Sequence, residues 1–558
     1  MELYLLPVAN YNQMKKKYLI VLVLLLISGA VAFKAYRHFS KNNHNIANAI
    51  IGNPVPSMVS KYAVKPNAIR NMFGINCYEW NFLNDPNNNN DASHIYQPKM
   101  AVIKSFTGVR HYMDWSKIEA TEGSYTFNPT NNGGWNFDAI YQGCKNAGIE
   151  VLVCLKTCPG WLVKDFPPNE RDAENVPAPY GMSHSDPASY IAQARAGFQF
   201  AARYGYNTKV NPALVKVSTR QRWNGDQVNE LKIGMGLIKY IECDNERDKW
   251  WKGKKAQQNG SEYAANLSAF YDGNKGKLGK GAGVKNADPG MQVVMTGLAT
   301  ANVKFVADMV EWCKQNRGYK PDGSIDLCFD VINYHFAPND HKSHVNDQAT
   351  RGLAPELSEA GAVADGFVSL ANSLKQHPPV WITETCYDIN PGSPQRVMAI
   401  DGKSAVEVQG DWLLRAALLY NRHGIKRAFY YQLFDDNTSA IQYSTSGLAD
   451  EKTLERRPAA DYALQVTKLM GNYEYKATIS QDPLVDVYQL GSKKMYVLLI
   501  PDEKGRTGNY TLDLGTAKNI IIHPLKIGDS AMESIKEPTT NGKFNMPVTE
   551  TPIFVEAE

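Results

Sequence analysis

Leu237-Ile238-Lys239-Tyr240-Ile241-Glu242 is a short, mostly apolar run that breaks into the polar cluster Asp244-Asn245-Glu246-Arg247 and is followed by a helical pattern over 263–271. β-branched and aromatic residues at this density favour a strand covered on both faces. The same unit recurs along the chain. Apolar runs at 72–78, 108–112, 150–155, 237–242, 291–298, 327–335, 380–384 and 428–433 are separated by longer segments, among them amphipathic patterns at 190–204, 263–271, 303–315, 362–374 and 406–423. Eight strand–helix units in one span predict a (β/α)8 TIM barrel over 70–471. The span exceeds the usual barrel of about 250 residues, so long loops are expected at 81–98, 158–188, 207–229 and 337–357. Beyond 471 the helical period stops. Short runs at 485–490, 494–499, 510–514, 519–522 and 551–555 alternate with turn clusters, which predicts a small C-terminal antiparallel β-sandwich over 472–558.

The whole chain has 558 residues, with 43% apolar and 21% charged. That is an ordinary globular mixture, and it excludes a disordered chain, a collagen and a multi-span membrane protein. The net charge of +4 gives no basic field, so nucleic acid is not an expected partner. The aromatic load of 30 Tyr, 10 Trp and 19 Phe suits the flat faces of sugars as well as an ordinary core.

Lys15-Lys16-Lys17, an apolar run over 18–33 and the small residues Ala30-Val31-Ala32 have the organisation of a secretory signal. The run is short of the roughly 20 residues of a spanning helix, although Lys34 and Arg37 follow it as a stop would. Residues 1–33 are therefore read as a signal peptide or N-terminal membrane anchor, and 34–69 as a polar tether. Either way the body is exported: periplasmic, extracellular or membrane-anchored, touching a membrane only through that anchor. The eight cysteines are scattered through apolar runs with no paired C-x-x-C clusters. Buried free thiols are the simplest reading, with one or two disulfides open, and a structural zinc site has no support. The Asn87–Asn90 run reads as a solvated loop rather than a calcium site.

Catalytic groups on a barrel sit at the C-terminal ends of its strands. Two carboxylates stand there: Glu246 after the fourth run, and Glu384 ending Val380-Trp381-Ile382-Thr383-Glu384. Strands four and seven of a closed eight-stranded barrel face each other across its mouth. Two carboxylates that meet over one bond are what glycoside hydrolysis uses.

At these residues the chain resembles glycoside hydrolase clan A, with Asn245-Glu246 after strand four and Thr383-Glu384 after strand seven. Arg110, in Val109-Arg110-His111, resembles the arginine that the clan places beneath its nucleophile. The passage from Asp114-Trp115 through Glu119, Gly123, Tyr125 and Phe127, with Trp135, Phe137 and Asp138 opening the next helix, is similar to the clan's continuation of that strand. The stretch Val548 to Val555 resembles the closing strand of the sandwich that many members carry. The combination of barrel and short sandwich resembles family 39 most, with its relatives in families 30 and 5, and no single family is secured. The resemblance implies a retaining double displacement, with Glu246 as acid and then base, Glu384 as nucleophile, and carboxyl groups about 5–5.5 Å apart. It implies that Asn245 bonds the sugar 2-hydroxyl and that Arg110 keeps Glu384 ionised, while Glu246 keeps a raised pKa. It requires no metal and no organic cofactor, and carbohydrate is the expected partner.

Two strand ends depart from the clan. Strand six ends Asn333-Tyr334-His335-Phe336, with Ala337 where the clan's tyrosine follows its histidine; Tyr334 and His335 are both candidates for contact with the sugar. Strand eight has no platform tryptophan, so Gln432 is a candidate to bond a hydroxyl, and Trp161 to stack on a sugar. Trp250 and Trp251 are placed to line outer subsites. A non-catalytic carbohydrate-binding or surface protein on the same barrel is the alternative function. A glycan lyase lacks its expected Tyr/His base and charge neutralisers. The sandwich is expected to support the barrel.

Overall fold

The structure, a computed structural model that describes residues 57–341 and 348–558, turns the eight apolar runs into eight parallel strands. They are β1 Gly74–Cys77, β2 Gly108–Asp114, β3 Glu150–Lys156, β4 Tyr240–Cys243, β5 Gln292–Val294, β6 Ile332–His335, β7 Val380–Thr385 and β8 Arg427–Tyr430. The order β5-β4-β3-β2-β1-β8-β7-β6 rolls the sheet round, and parallel bridges Val294–Val331 and Leu298–Tyr334 join its two ends. This is a (β/α)8 barrel.

The barrel interior changes character with height. At one level Leu152, Val294, Val331, Trp381 and Phe429 pack as an apolar plug. Gly74 makes room for it, since a Cβ there would fall 2.3 Å from the Phe429 ring. One step further along the strands the inward positions turn polar: Asn76, Arg110, Glu242, Asn333 and Thr383, all fully or almost fully buried. Every second residue of a strand faces the same way, so Arg110 and Glu242 stand on the same inner wall.

The helices that cover the strands are cut by local signals. Asn259 with Glu262, and Ser404 with Glu407, form capping boxes at the starts of Gly260–Asp272 and Ala405–Arg422. Helix Ala405–Arg422 is buried along most of its length, more than one apolar stripe explains, because it lies between the barrel and the C-terminal sheets. Its Arg422 Nε bonds Asp486 at 2.9 Å. Its Arg415 bonds Glu356 at 2.7 Å and the Asp502 carbonyl at 3.0 Å.

The C-terminal part is a β-sandwich. One sheet has the order β14-β13-β16-β11-β10-β9, and β12 pairs with β15. The strands are β9 Glu474–Gln481, β10 Leu484–Leu490, β11 Lys493–Leu499, β12 Gly508–Asp513, β13 Asn519–His523, β14 Ile535–Pro538, β15 Lys543–Val548 and β16 Ile553–Ala557. Val485, Leu498, Leu512, Ile520, Met546 and Val555 meet in its core. Three of these strands give no apolar run in the sequence. β14 is exposed throughout, β9 buries none of its residues fully, and Pro547 interrupts β15.

The polar tether expected over 34–69 needs correction in its last part. Residues 57–69 lie against the barrel: the Met58 carbonyl accepts from Arg422, Ser60 Oγ donates to Asp365 at 2.7 Å, and Asn67 donates to the Ile425 carbonyl. Buried Asp365 and His423 give this arm a polar seat. The signal or anchor at 1–33 lies outside the described residues. Among the described residues no helix is long and apolar enough to cross a membrane. The eight cysteines are buried and unbridged.

The pair Arg422–Asp486 joins two side chains with almost no exposure. Removing one partner of such a pair strands the other charge in a dry interface. Arg422→Ala is therefore expected to destabilise the protein by about 3–5 kcal/mol, read as a fall in the midpoint of urea unfolding.

Candidate active site

The site is assembled at the ends of β4, β6 and β7 around the buried side chain of Arg110. After β4 the chain turns sharply, with Asp244 and Glu246 both in the left-handed region at φ 68° and 51°. Non-glycine residues hold that conformation only where their surroundings impose it. Asp244 accepts from the Asn245 N–H at 2.8 Å, and the Glu246 N–H donates to the Gly297 carbonyl at 3.2 Å. The turn brings Asn245 back over Arg110 and presents Glu246 to the barrel mouth. On β7, register shifts against both neighbouring strands mark a bulge, a device that re-aims a side chain. Glu384 emerges there.

Arg110 uses all three guanidinium nitrogens. Nε donates to Glu242 at 2.6 Å, Nη1 to Asn76 at 3.0 Å and to Glu384 at 2.6 Å, and Nη2 to Asn245 at 2.9 Å. Burial opposes its charge, but carboxylates led by Glu242 outweigh burial and hold it above the ordinary arginine value. Glu242 is itself held by the Gly297 N–H and by Asn333.

His335, ending β6, joins the two carboxylates. Its Nδ1 is 3.0 Å from Glu246 Oε1 and 3.6 Å from Glu384 Oε2, and its Nε2 is 3.1 Å from Thr383 Oγ1. Burial pushes the imidazole down, towards its neutral form, and the ring sits as a hydrogen-bonding strut between the carboxylates. Gly297 makes the close approach possible, since a Cβ there would lie 2.0 Å from Nε2.

An oxygen of Glu246 and an oxygen of Glu384 lie within 4.8 Å of one another. The side chains keep 22% and 18% of their surface exposed, so both are reachable from the cavity above them. Burial pushes Glu246 up, opposed by Lys249 and Arg110. Burial pushes Glu384 up as well, opposed by His335 and Arg110. The difference between them is the direct guanidinium bond at 2.6 Å, which favours the ionised form of Glu384. Glu246, His335 and Glu384 are also spaced to hold a cation, but a cation there would meet the charge of Arg110.

The cavity has a volume of about 540 Å³, and Tyr112, Trp250, Trp251, Thr300, Tyr431 and Tyr443 are among the residues that line it with the two carboxylates. The structure brings Glu246, Glu384, Asn245, Arg110 and His335 together. Tyr334, Gln432 and Trp161 are corrections. Tyr334 points the opposite way from His335 and stacks on Phe367, ring centroids 4.2 Å apart, because neighbours on a strand face opposite sides. Gln432 is buried and donates to Asp436 at 2.7 Å, while its neighbour Tyr431 lines the cavity. Trp161 packs edge-on against Trp115 and donates to the Glu119 carbonyl, outside the cavity lining. Asn76 and Tyr431 are the residues that the sequence reading missed, while Glu242, read from the sequence as structural, is the buried partner of Arg110. The period of two carried a signal for Glu242, which stands two positions before Asp244 on an inward-facing phase. Nothing local marked Asn76.

No protein-family model and no curated protein matches the sequence. Solved structures share the fold. A family 39 glycoside hydrolase from the gut symbiont Bacteroides cellulosilyticus WH2 superposes with a TM-score of 0.57 at 14% identity, over 90% of this chain and 84% of that one. The catalytic domain of a family 30 xylanase C from Talaromyces cellulolyticus gives 0.50 at 9% identity, over 90% and 98%. A conserved exported protein from Bacteroides fragilis gives 0.50 at 10%, over 90% and 99%. The likeness is one of fold. At such identities the residues of the site must speak for themselves.

Gly297→Ala is expected to push His335 off Glu246 and to destabilise the protein by about 1–3 kcal/mol through overpacking. The double variant Gly297→Ala/His335→Ala should recover part of that loss, a non-additivity readable from two melting curves.

Proposed function

We propose that the protein is a retaining glycoside hydrolase that cleaves β-glycosidic bonds of oligo- or polysaccharides. The observation that carries this reading is the carboxylate pair with oxygens within 4.8 Å of one another, one member bonded to a buried guanidinium at 2.6 Å. Such spacing lies near the roughly 5–5.5 Å of a retaining pair and short of the roughly 6.5–9.5 Å at which an inverting pair admits its water.

Glu384, ionised through Arg110, attacks the anomeric carbon, and Glu246 gives its proton to the departing glycosidic oxygen. The glycosyl–Glu384 ester forms as the leaving group takes that proton. Glu246, now a carboxylate, removes a proton from water, which attacks the same carbon and releases Glu384. Arg110 holds the Asn245 amide oxygen, so the amide N–H groups are left to face Glu246 and the 2-hydroxyl of the sugar. Neutral His335 steadies both carboxylates without adding a second cation beside Arg110. Both the nucleophile and the proton come from side chains, so the chemistry calls for no metal and no organic cofactor. An exported location suits a polysaccharide substrate and the leader-like segment at 1–33. It is shared with the exported Bacteroides fragilis protein of similar fold.

The test is turnover of a panel of aryl β-glycosides and β-linked oligosaccharides by residues 34–558. Glu384→Gln is expected to reduce turnover to background. Glu246→Gln should lose about 10²–10⁴-fold on substrates with poor leaving groups and much less on activated aryl glycosides. Activity needs Glu384 ionised and Glu246 protonated, so it should fall as pH drops through the pKa of Glu384 and as pH rises through the raised pKa of Glu246. The alkaline limb should vanish in Glu246→Gln. Sugar binding with no turnover on any substrate would favour a non-catalytic carbohydrate-binding protein.

A further inference from the structure

Cys313, near the end of the helix Val303–Asn316, and Cys328, on the approach to β6, bring their sulfurs to 3.5 Å from one another. Both are buried with no exposure. Other thiols of the chain spend their sulfurs differently: Cys154 on the Asp244 carbonyl, Cys158 on the Asn175 carbonyl and Cys243 on the Gln193 side chain. Two sulfurs already in van der Waals contact need only a small rotation of each side chain to reach bonding distance.

The place of this pair in the barrel says what a bond would do. Strand order runs from β5 round to β6, and these two end strands meet through the isolated bridges Val294–Val331 and Leu298–Tyr334 where the other neighbours share ladders. This junction is the seam of the barrel. Backbone bonds cross it from the Asp330 N–H to the Val293 carbonyl at 2.9 Å, from Met295 to Val331 at 3.2 Å and from His335 to Leu298 at 2.9 Å. The helix Val303–Asn316 is the crossover from β5 to β6. A link from Cys313 to Cys328 ties the end of that helix to the root of β6, the strand that carries Asn333 and His335 into the site.

We propose that Cys313 and Cys328 form a disulfide when the chain folds in an oxidising compartment, and that this bond is a covalent clasp on the barrel seam. Reagents do not reach the two thiols once they are buried, so the bond forms before the helix packs over β6. The oxidant is a disulfide donor, either a small molecule or a thiol–disulfide oxidoreductase. One cysteine thiolate attacks the donor S–S bond, which gives a mixed disulfide and releases one donor thiol. The second cysteine thiolate attacks the first cysteine's sulfur, which closes the clasp and releases the other donor thiol. Two electrons pass from the cysteines to the donor, and the two cysteine protons end on the donor thiols. The closed loop restricts the unfolded chain, which favours the folded state. The clasp is independent of the hydrolase reading.

The experiment produces the protein once in an oxidising compartment of an expression host and once in a reducing cytosol. Each product is denatured in N-ethylmaleimide, digested and mapped by mass spectrometry. The first product is expected to be modified at every cysteine but Cys313 and Cys328, whose peptides are recovered as one cross-linked species; the second is expected to be modified at all eight. The bridged protein should melt about 5 °C above the same protein kept in reductant. Cys313→Ala and Cys328→Ala should each remove that gap. After reduction the seam amides of Met295, Asp330 and His335 should exchange faster in deuterated water. Modification of all eight cysteines in the first product, or a cross-link between a different pair, would overturn the proposal. So would a bridged protein whose melting and seam exchange match those of the reduced one, because the bond would then clasp nothing. These readouts do not depend on turnover, so failure of the clasp leaves the hydrolase reading standing, and silence on glycosides leaves the clasp standing.

Discussion

A guanidinium with no exposure to water must find acceptors for its N–H groups or leave an unpaired charge in a dry interior. Arg110 finds four on three other strands of the barrel: Asn76 from β1, Glu242 from β4, Asn245 just beyond it, and Glu384 from β7. Each acceptor is then restrained by something else. Asn76 donates to the Thr383 and Tyr430 carbonyls, and Glu242 accepts from Gly297 and Asn333. One buried charge thereby sets the mutual positions of strands that are far apart in sequence, and the catalytic geometry proposed here is a consequence of that network. The apolar plug beneath it keeps water out, so these hydrogen bonds act in a medium where they are strong.

The same logic appears along the helix Ala405–Arg422, where the purpose is attachment. Arg415 and Arg422 lie on one helix that is covered on nearly every side. They point at Glu356 and the Asp502 carbonyl, and at Asp486 and the Met58 carbonyl. A sandwich held by buried ion pairs and by the arm at 57–69 is part of the barrel's own packing.

Much of the fold is legible in the sequence because its signals are local. Strand positions follow from short β-branched and aromatic runs, and helices from their period and caps. The carboxylates stand out because they terminate such runs. The strands that went unread, β9, β14 and β15, bury little or carry proline, so no apolar pattern marked them. The same reasoning explains the errors at the site. Tyr334 and His335, like Tyr431 and Gln432, are adjacent residues at strand ends, and a shift of one position exchanges the inward face for the outward one. The register shifts of β7 against β6 and β8 arise from strand pairing, which no single segment encodes on its own.

By itself, then, the sequence determined the eight strand–helix units, the sandwich that follows them, and the placing of Asn245, Glu246 and Glu384 at strand ends. These rest on side-chain chemistry and short-range periodicity, which act within a few residues. Tertiary structure decided what those groups can do. It selected His335 over Tyr334 and Tyr431 over Gln432, turned Trp250 and Trp251 into the cavity that holds both carboxylates, and gave Glu246 and Glu384 their unequal surroundings. Protonation and reach depend on distances between groups more than a hundred residues apart along the chain, and only closure of the barrel around Arg110 sets those distances.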